Sequence, residues 1–145
     1  MLRDSSLIPL SQQHHNGLAL CVMTDRELAR DSSAESIARL ARRAVDRYEV
    51  ELINHFEMEE QILFPEFPGQ LVNELILDHR RLESMIVALR NQPTATMLAE
   101  FTGLLRRHIR REENELFEAI QRELPRQTLD RLGVEMDRKA VRVCL

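Results

Sequence analysis

A chain of 145 residues is the length of one domain and can bury about two-thirds of its unfolded surface in a single core, so it needs no covalent staple. With 43% hydrophobic and 30% charged residues but only 4 Gly and 5 Pro, it is not a disordered, collagenous or low-complexity polymer. A net charge of −4 with no block of like charge argues against a nucleic-acid binder.

Apolar runs such as Leu18 to Met23 are too short to span a bilayer, and Met1 to Leu10 has neither the basic start nor the apolar stretch of a signal peptide. Cys21 and Cys144 are too far apart in sequence to signal a disulfide framework or a Cys-based zinc site. The expectation is a cytoplasmic protein with reduced thiols and no membrane or nucleic-acid partner.

The abundance of Ala, Leu, Glu and Arg, with no alternating segments, predicts an all-α fold. The first helix runs from Leu10 to about Ala29, with Leu18, Cys21, Val22 and Leu28 on one face. Ser32 to Glu35 has the spacing of a capping box and opens a long second helix, which Pro65, Pro68 and Gly69 end after Phe64. A third helix covers roughly Gln70 to Leu89 and stops at Asn91, Gln92 and Pro93. The fourth begins near Thr94 and stops before Pro125. Short connections between four helices predict an up-down antiparallel four-helix bundle over about residues 10–124. Residues 125–145 are expected as a tail within the same domain, in which Gln127 to Arg138 can add a short fifth helix despite Gly133 and the lack of clear caps.

An internal repeat carries the chemistry. Tyr48 to Phe64 aligns without gaps with Phe101 to Phe117, pairing Leu52 with Leu105, His55 with His108, Glu59 with Glu112, Glu60 with Glu113, Leu63 with Leu116 and Phe64 with Phe117. Packing alone explains matched leucines, not matched His and Glu. Residues four apart project to one side of a helix, so His55 with Glu59, and His108 with Glu112, share the side of the core leucines. Two ionised carboxylates in a core cost several kcal/mol and repel, so the pattern calls for cations. Imidazole and carboxylate suit iron or manganese, and a carboxylate can bridge two ions with its two oxygens.

The remaining histidines complete a set. His79 stands at the edge of the stripe formed by Leu75, Leu82, Ile86 and Leu89. On the first helix either His14 or His15 can serve: the apolar stripe points closer to His14, whereas the step from His15 to Leu18 copies that from His79 to Leu82. The two diverge by about 100°, so only one meets the metal face well.

In these residues the chain resembles the hemerythrin-like, or HHE cation-binding, domains. Their signature is His, then His-x-x-x-Glu, then His, then His-x-x-x-Glu, read here as His14 or His15, His55 with Glu59, His79, and His108 with Glu112. The resemblance spans about Leu10 to Leu124. It implies a four-helix bundle around a non-haem di-iron centre with two bridging carboxylates and an oxygen bridge, manganese or zinc being the alternative metals. Oxygen-carrying hemerythrins have five histidines and a His-x-x-x-His pair on the third helix, whereas here Leu75 and Glu83 flank His79 at that spacing. Fewer nitrogen donors leave positions open to water, oxygen, nitric oxide or peroxide. The implied functions are binding or sensing of O2 or another diatomic, with a separate protein partner for signalling. The alternatives are an enzyme that reduces nitric oxide or peroxide or repairs iron centres, and an interaction module with a structural metal.

Other residues read more plainly. Glu60 and Glu113, about 100° from the ligand positions, are supports for the ligands or solvated charges. Glu83 is a partner of nearby arginines with a lesser claim as an extra ligand. Tyr48, opposite Phe101 in the repeat and two turns before His55, is a core tyrosine with a lesser claim as a proton or electron donor near bound oxygen. Met58, Met85 and Met97 fill gaps or lie at the surface. The arginines at 39, 42, 43 and 47 and at 106, 107, 110 and 111 form solvated faces beside acidic neighbours.

Overall fold

The computed structural model describes residues 2–143; Cys144 lies outside them. Every regular element among the described residues is helical, and no strand occurs. A 3₁₀ turn, Ser5–Leu7, leads into α1, Ile8–Arg30, with Pro9 in its first turn, where a missing N–H costs nothing. The chain reverses at Asp31, whose carboxylate accepts the Ser33 N–H at 2.9 Å. Ser33, not the expected Ser32, caps the next helix by accepting the Ser36 N–H at 3.2 Å, because the Asp31 turn leaves Ser33 extended at the helix mouth.

Helix α2 covers residues 34–63 without interruption, but its pitch changes twice. Between α-helical Ala34–Arg47 and Ile53–Met58 lies a wider π turn, Tyr48–Leu52, and a second, Glu59–Leu63, closes the helix. A 3₁₀ turn, Phe64–Glu66, holds Pro65, and Gly69 takes φ 157°, a region natural to glycine, just before α3, Gln70–Asn91. Thr94 caps α4 by accepting the Met97 N–H at 3.1 Å. Helix α4 covers residues 95–123, with one π turn, Glu112–Leu116, between Ala95–Arg111 and Phe117–Glu123.

Helices α1 to α4 form the antiparallel up-down bundle, α1 and α3 each packing against both α2 and α4. The approach of α1 to α4 is close: a Cβ on Gly17 would lie 2.9 Å from Ile109 Cδ1. The expected fifth helix is present as α5, Arg126–Lys139, whose Leu129, Leu132 and Met136 are buried in one apolar cluster with Leu7, Leu10, Met58 and Leu63. Gly133 lies within it. A Cβ there would come within 3.0 Å of the Ser6 backbone, so glycine is what lets α5 seat on the N-terminal turn.

Two apolar clusters divide the interior. Leu20, Cys21, Leu52, Leu82 and Leu105 belong to one, and Leu10, Leu63, Leu75 and Leu116 to the other. Along each bundle helix the buried His and Glu residues fall between members of the two, so a polar layer crosses the bundle. Among the described residues no helix is long and apolar enough to cross a membrane.

Candidate metal centre

Six side chains from all four bundle helices meet in the polar layer: His14 from α1, His55 and Glu59 from α2, His79 from α3, and His108 and Glu112 from α4. None exceeds 3% exposure, and both glutamates are at 0%. Their potential ligand atoms fall into two overlapping groups, each lying within 4.8 Å. One is His14, His55, Glu59 and Glu112; the other is Glu59, His79, His108 and Glu112. Both carboxylates belong to both groups, the arrangement of two adjacent cations bridged by two glutamates.

The inward atoms lack ordinary partners. Nε2 of His55, His79 and His108, both oxygens of Glu59 and Oε2 of Glu112 are buried without a hydrogen bond. They nonetheless crowd together, with Nε2 of His55 and His79 at 3.3 and 3.1 Å from Glu59 Oε1, and Nε2 of His108 at 3.2 Å from Glu112 Oε1. Only His14 Nε2 forms a hydrogen bond inward, to Glu112 Oε1 at 2.8 Å. Orphaned nitrogen and carboxylate atoms in a core are costly unless a cation satisfies them. The donor set therefore fits a metal pair.

Outward, each ring is anchored through Nδ1. His14 bonds Glu113 at 2.6 Å, His55 bonds Gln13 Oε1 at 2.9 Å, His79 bonds Glu60 at 2.7 Å and His108 bonds Asp78 at 3.1 Å. With Nδ1 occupied by these partners, Nε2 of each ring is the nitrogen turned toward the cluster, the one that could take a metal. Glu60 and Glu113 thus support clustered histidines, one of the two roles open to them in sequence, and each serves the histidine of a neighbouring helix. The repeated phenylalanines do likewise: Phe64 stacks on His79 with centroids 5.8 Å apart, and Phe117 on His14 at 5.3 Å.

Two of the three π turns begin at the shared glutamates. The Phe64 N–H reaches back to the Glu59 carbonyl, and the Phe117 N–H to that of Glu112, five residues instead of four. The extra residue in the turn brings each glutamate and the phenylalanine five positions later toward one face, so carboxylate and ring meet the same cluster.

Without ions, protons take the cations' place. Burial and the facing Glu112 push the Glu59 carboxyl up to about 8. Burial also disfavours charge on Glu112, but the His108 imidazolium and further hydrogen bonds hold it well below the usual carboxylate range. Burial opposes a charge on His108 too, and the Glu112 and Asp78 carboxylates outweigh it, raising that ring to about 10.

The other sequence candidates lie elsewhere. His15 is exposed and borders a surface cavity with Gln12, Asn16 and Arg142, about 100° around α1 from the cluster, so of the two neighbours only His14 turns inward. Glu83 forms a two-pronged pair with Arg80 at 2.7 and 2.8 Å and is no part of either group. Tyr48 packs half-buried beside Phe56, ring centroids 6.4 Å apart. Met58 is fully buried, and Met85 and Met97 are partly so. Arginines pair as the faces suggest, Arg43 with Glu27 at 2.9 Å and Arg47 with Glu51 at 2.9 Å. Gln13 and Asp78 were missed by sequence reasoning; their only signal was the position immediately before a ligand histidine.

The family model for the hemerythrin HHE cation binding domain matches residues 9–120. No curated protein and no solved structure matches the chain.

Proposed function

The chain belongs to the hemerythrin HHE cation-binding family, and from that premise we propose that it is a cytoplasmic non-haem di-iron protein that binds or senses O2 or a related small ligand such as nitric oxide or peroxide. The observation that carries this reading is the sharing of Glu59 and Glu112 by two His-Glu groups in one buried layer. His14 and His55 would hold one ion, His79 and His108 the other, and the two carboxylates would bridge them. Such a pair, when bound, supplies two adjacent redox-active centres for a small ligand.

Each ion would be held by two imidazoles and the two shared glutamates, which would leave room for a small ligand. The chain's own contribution is containment. Phe56 lies flat on His79 at 3.9 Å and edge-on to His108 at 6.2 Å, and Phe117 covers His14, so water and adventitious proton donors are kept from the layer. Manganese or zinc would fit the same donors. Cys21, buried and free with its thiol pushed up to about 11 by burial, has the character of an inert core thiol. A sensor of this kind would act through a separate protein partner.

The test is metal analysis and the visible spectrum of protein purified in air without chelator. About two irons per chain, with near-ultraviolet and visible bands altered by azide or nitric oxide, are expected. Return of the ferrous spectrum on removing oxygen, without reductant, separates binding or sensing from an enzyme, which would instead sustain turnover of a reductant. A fully loaded form indifferent to oxygen, nitric oxide and azide would overturn both and leave a structural metal in a helical interaction module.

A further inference from the structure

The four histidines are held alike in geometry and unlike in charge. In the His79/His108 pair, both outward partners are carboxylates, Glu60 and Asp78. Glu60 is also paired with Arg80, whereas Asp78 bonds His108 and feels the Arg111 guanidinium only at a distance, with no arginine or lysine among the described residues in a salt bridge to it. In the His14/His55 pair, the carboxylate of Glu113 is compensated by Arg3 at 3.1 Å, and the partner of His55 is the neutral amide of Gln13.

The packing explains why position 13 carries an amide. Gln13 Nε2 donates to Asn54 Oδ1 at 2.9 Å and to the Val141 carbonyl at 3.1 Å, which forces its Oε1 toward His55. Asn54 in turn accepts the Val141 N–H at 2.9 Å and donates to the Lys139 carbonyl at 2.9 Å, while Asn16 donates to the Val143 carbonyl at 3.3 Å. Residues 139–143 thus form a strap across α1 and α2. A carboxylate at position 13 would face two acceptors where the amide places a donor. Seating the strap therefore requires a neutral group behind His55.

A carboxylate behind a ligand imidazole raises the basicity of the ring, and loss of such a partner typically weakens metal binding about 10–100-fold. We propose that the two metal positions are inequivalent: the His79/His108 position, backed by Asp78, binds its ion first and tightly, and the His14/His55 position, backed by Gln13, holds the weaker, exchangeable ion. Asp78 and Gln13 act as positioning residues, through the rings they hold. This rests on the two-ion reading above.

Anaerobic calorimetric titration of the metal-free full chain with ferrous iron tests it. Two steps are expected, the first at least about tenfold tighter. His14→Ala, which cripples the weaker position, should keep the tight step, and His79→Ala should keep only the weak one; should either fail to fold by circular dichroism, His55→Ala and His108→Ala carry the same comparison. Asp78→Asn keeps a polar partner for His108 but removes the charge, so it should weaken the first step about tenfold and bring the two together, while Asp78→Glu should restore the separation. Two ions bound in one indistinguishable step, a reversed order, or an Asp78→Asn variant with unchanged affinities would overturn the inequivalence and leave the metal centre standing. Failure of the wild-type chain to bind two ions would overturn the metal reading and this inference with it.

Discussion

Helices α2 and α4 contain the same seventeen-residue repeat and live in different surroundings. Toward the metal layer they are equivalent: His55 and His108 present Nε2, Glu59 and Glu112 are shared, and Glu60 and Glu113 anchor the histidine of an adjacent helix. Away from it they part. Met58 is fully buried against α5, whereas its counterpart Arg111 is half-exposed and paired with Glu74. Asn54 ties down the strap, whereas its counterpart Arg107 is exposed. Helix α5 covers the Met58 side of α2 and leaves Arg107 and Arg111, the matching side of α4, at the surface, so the fifth helix breaks the pseudo-twofold symmetry of the centre. Residues facing the layer answer to the shared His-Glu cluster; residues facing outward answer to whatever covers their own helix.

The largest effects should fall on the equivalent side. Glu59→Ala or Glu112→Ala removes a group belonging to both ligand sets, so each variant should lose at least one of two ions, read by elemental analysis of the purified protein. Retention of two ions by one variant and not the other would mean that a single carboxylate does the bridging. The equivalence of α2 and α4 at the layer would then be broken.

The unequal side should show next. Met58→Ala should destabilise the fold by about 2–5 kcal/mol, the usual cost of emptying a fully buried site. The matched change Arg111→Ala should cost less than about 1 kcal/mol, since it loses only a partly solvated ion pair. Similar midpoints for the two variants in urea would mean that α5 does not seal α2 in solution.

Acid and base should act oppositely on the empty and loaded forms. Glu59 is raised from an ordinary 4.5 to about 8 and His108 from 6.5 to about 10, so the folded, metal-free chain holds protons that the unfolded chain has released. Their stabilisation is complete below the unfolded values and disappears as pH climbs through about 8 and about 10. The empty bundle should therefore weaken from about pH 5 toward pH 10 in thermal melts. Ions must displace the same protons, so loading should release protons and lose affinity as pH falls through that window, which titration in buffers of different ionisation enthalpy would measure.

The bundle and the cluster were legible because their causes are written in local pattern. Helix ends follow from Pro9, Pro65, Gly69 and Thr94, and the inward direction of His55 and Glu59 from their four-residue spacing beside core leucines. What stayed hidden depended on contacts distant in sequence. Gly133 reads as a weak point in a helix until Ser6 is seen against it. Gln13 and Asp78 read as neighbours of histidines and turn out to orient histidines on other helices. The π turns at Glu59 and Glu112 depart from the 3.6-residue period on which any reading of helical faces depends, so they show only in the backbone hydrogen bonds. The choice between His14 and His15 turned on the direction of one apolar stripe, which packing resolves by leaving His15 exposed.

The smallest expected effect concerns the strap. Asn54→Ala removes the acceptor for Gln13 Nε2 and for the Val141 N–H together with the donor to Lys139, at a half-buried site where unmade hydrogen bonds cost about 1–3 kcal/mol in total. Arg107→Ala, the same repeat position on α4, should stay within about 0.5 kcal/mol. The amide of Gln13, no longer pinned, is free to turn its Nε2 toward His55, where it would compete with the Nδ1–H as a second donor and misalign the ring. Asn54→Ala should therefore weaken the ion at His14 and His55 while leaving the one at His79 and His108 unchanged in the same ferrous titration. An equal loss at both positions would mean that the strap supports the whole bundle. Selective loss at the first would place the difference between α2 and α4 within the metal centre itself.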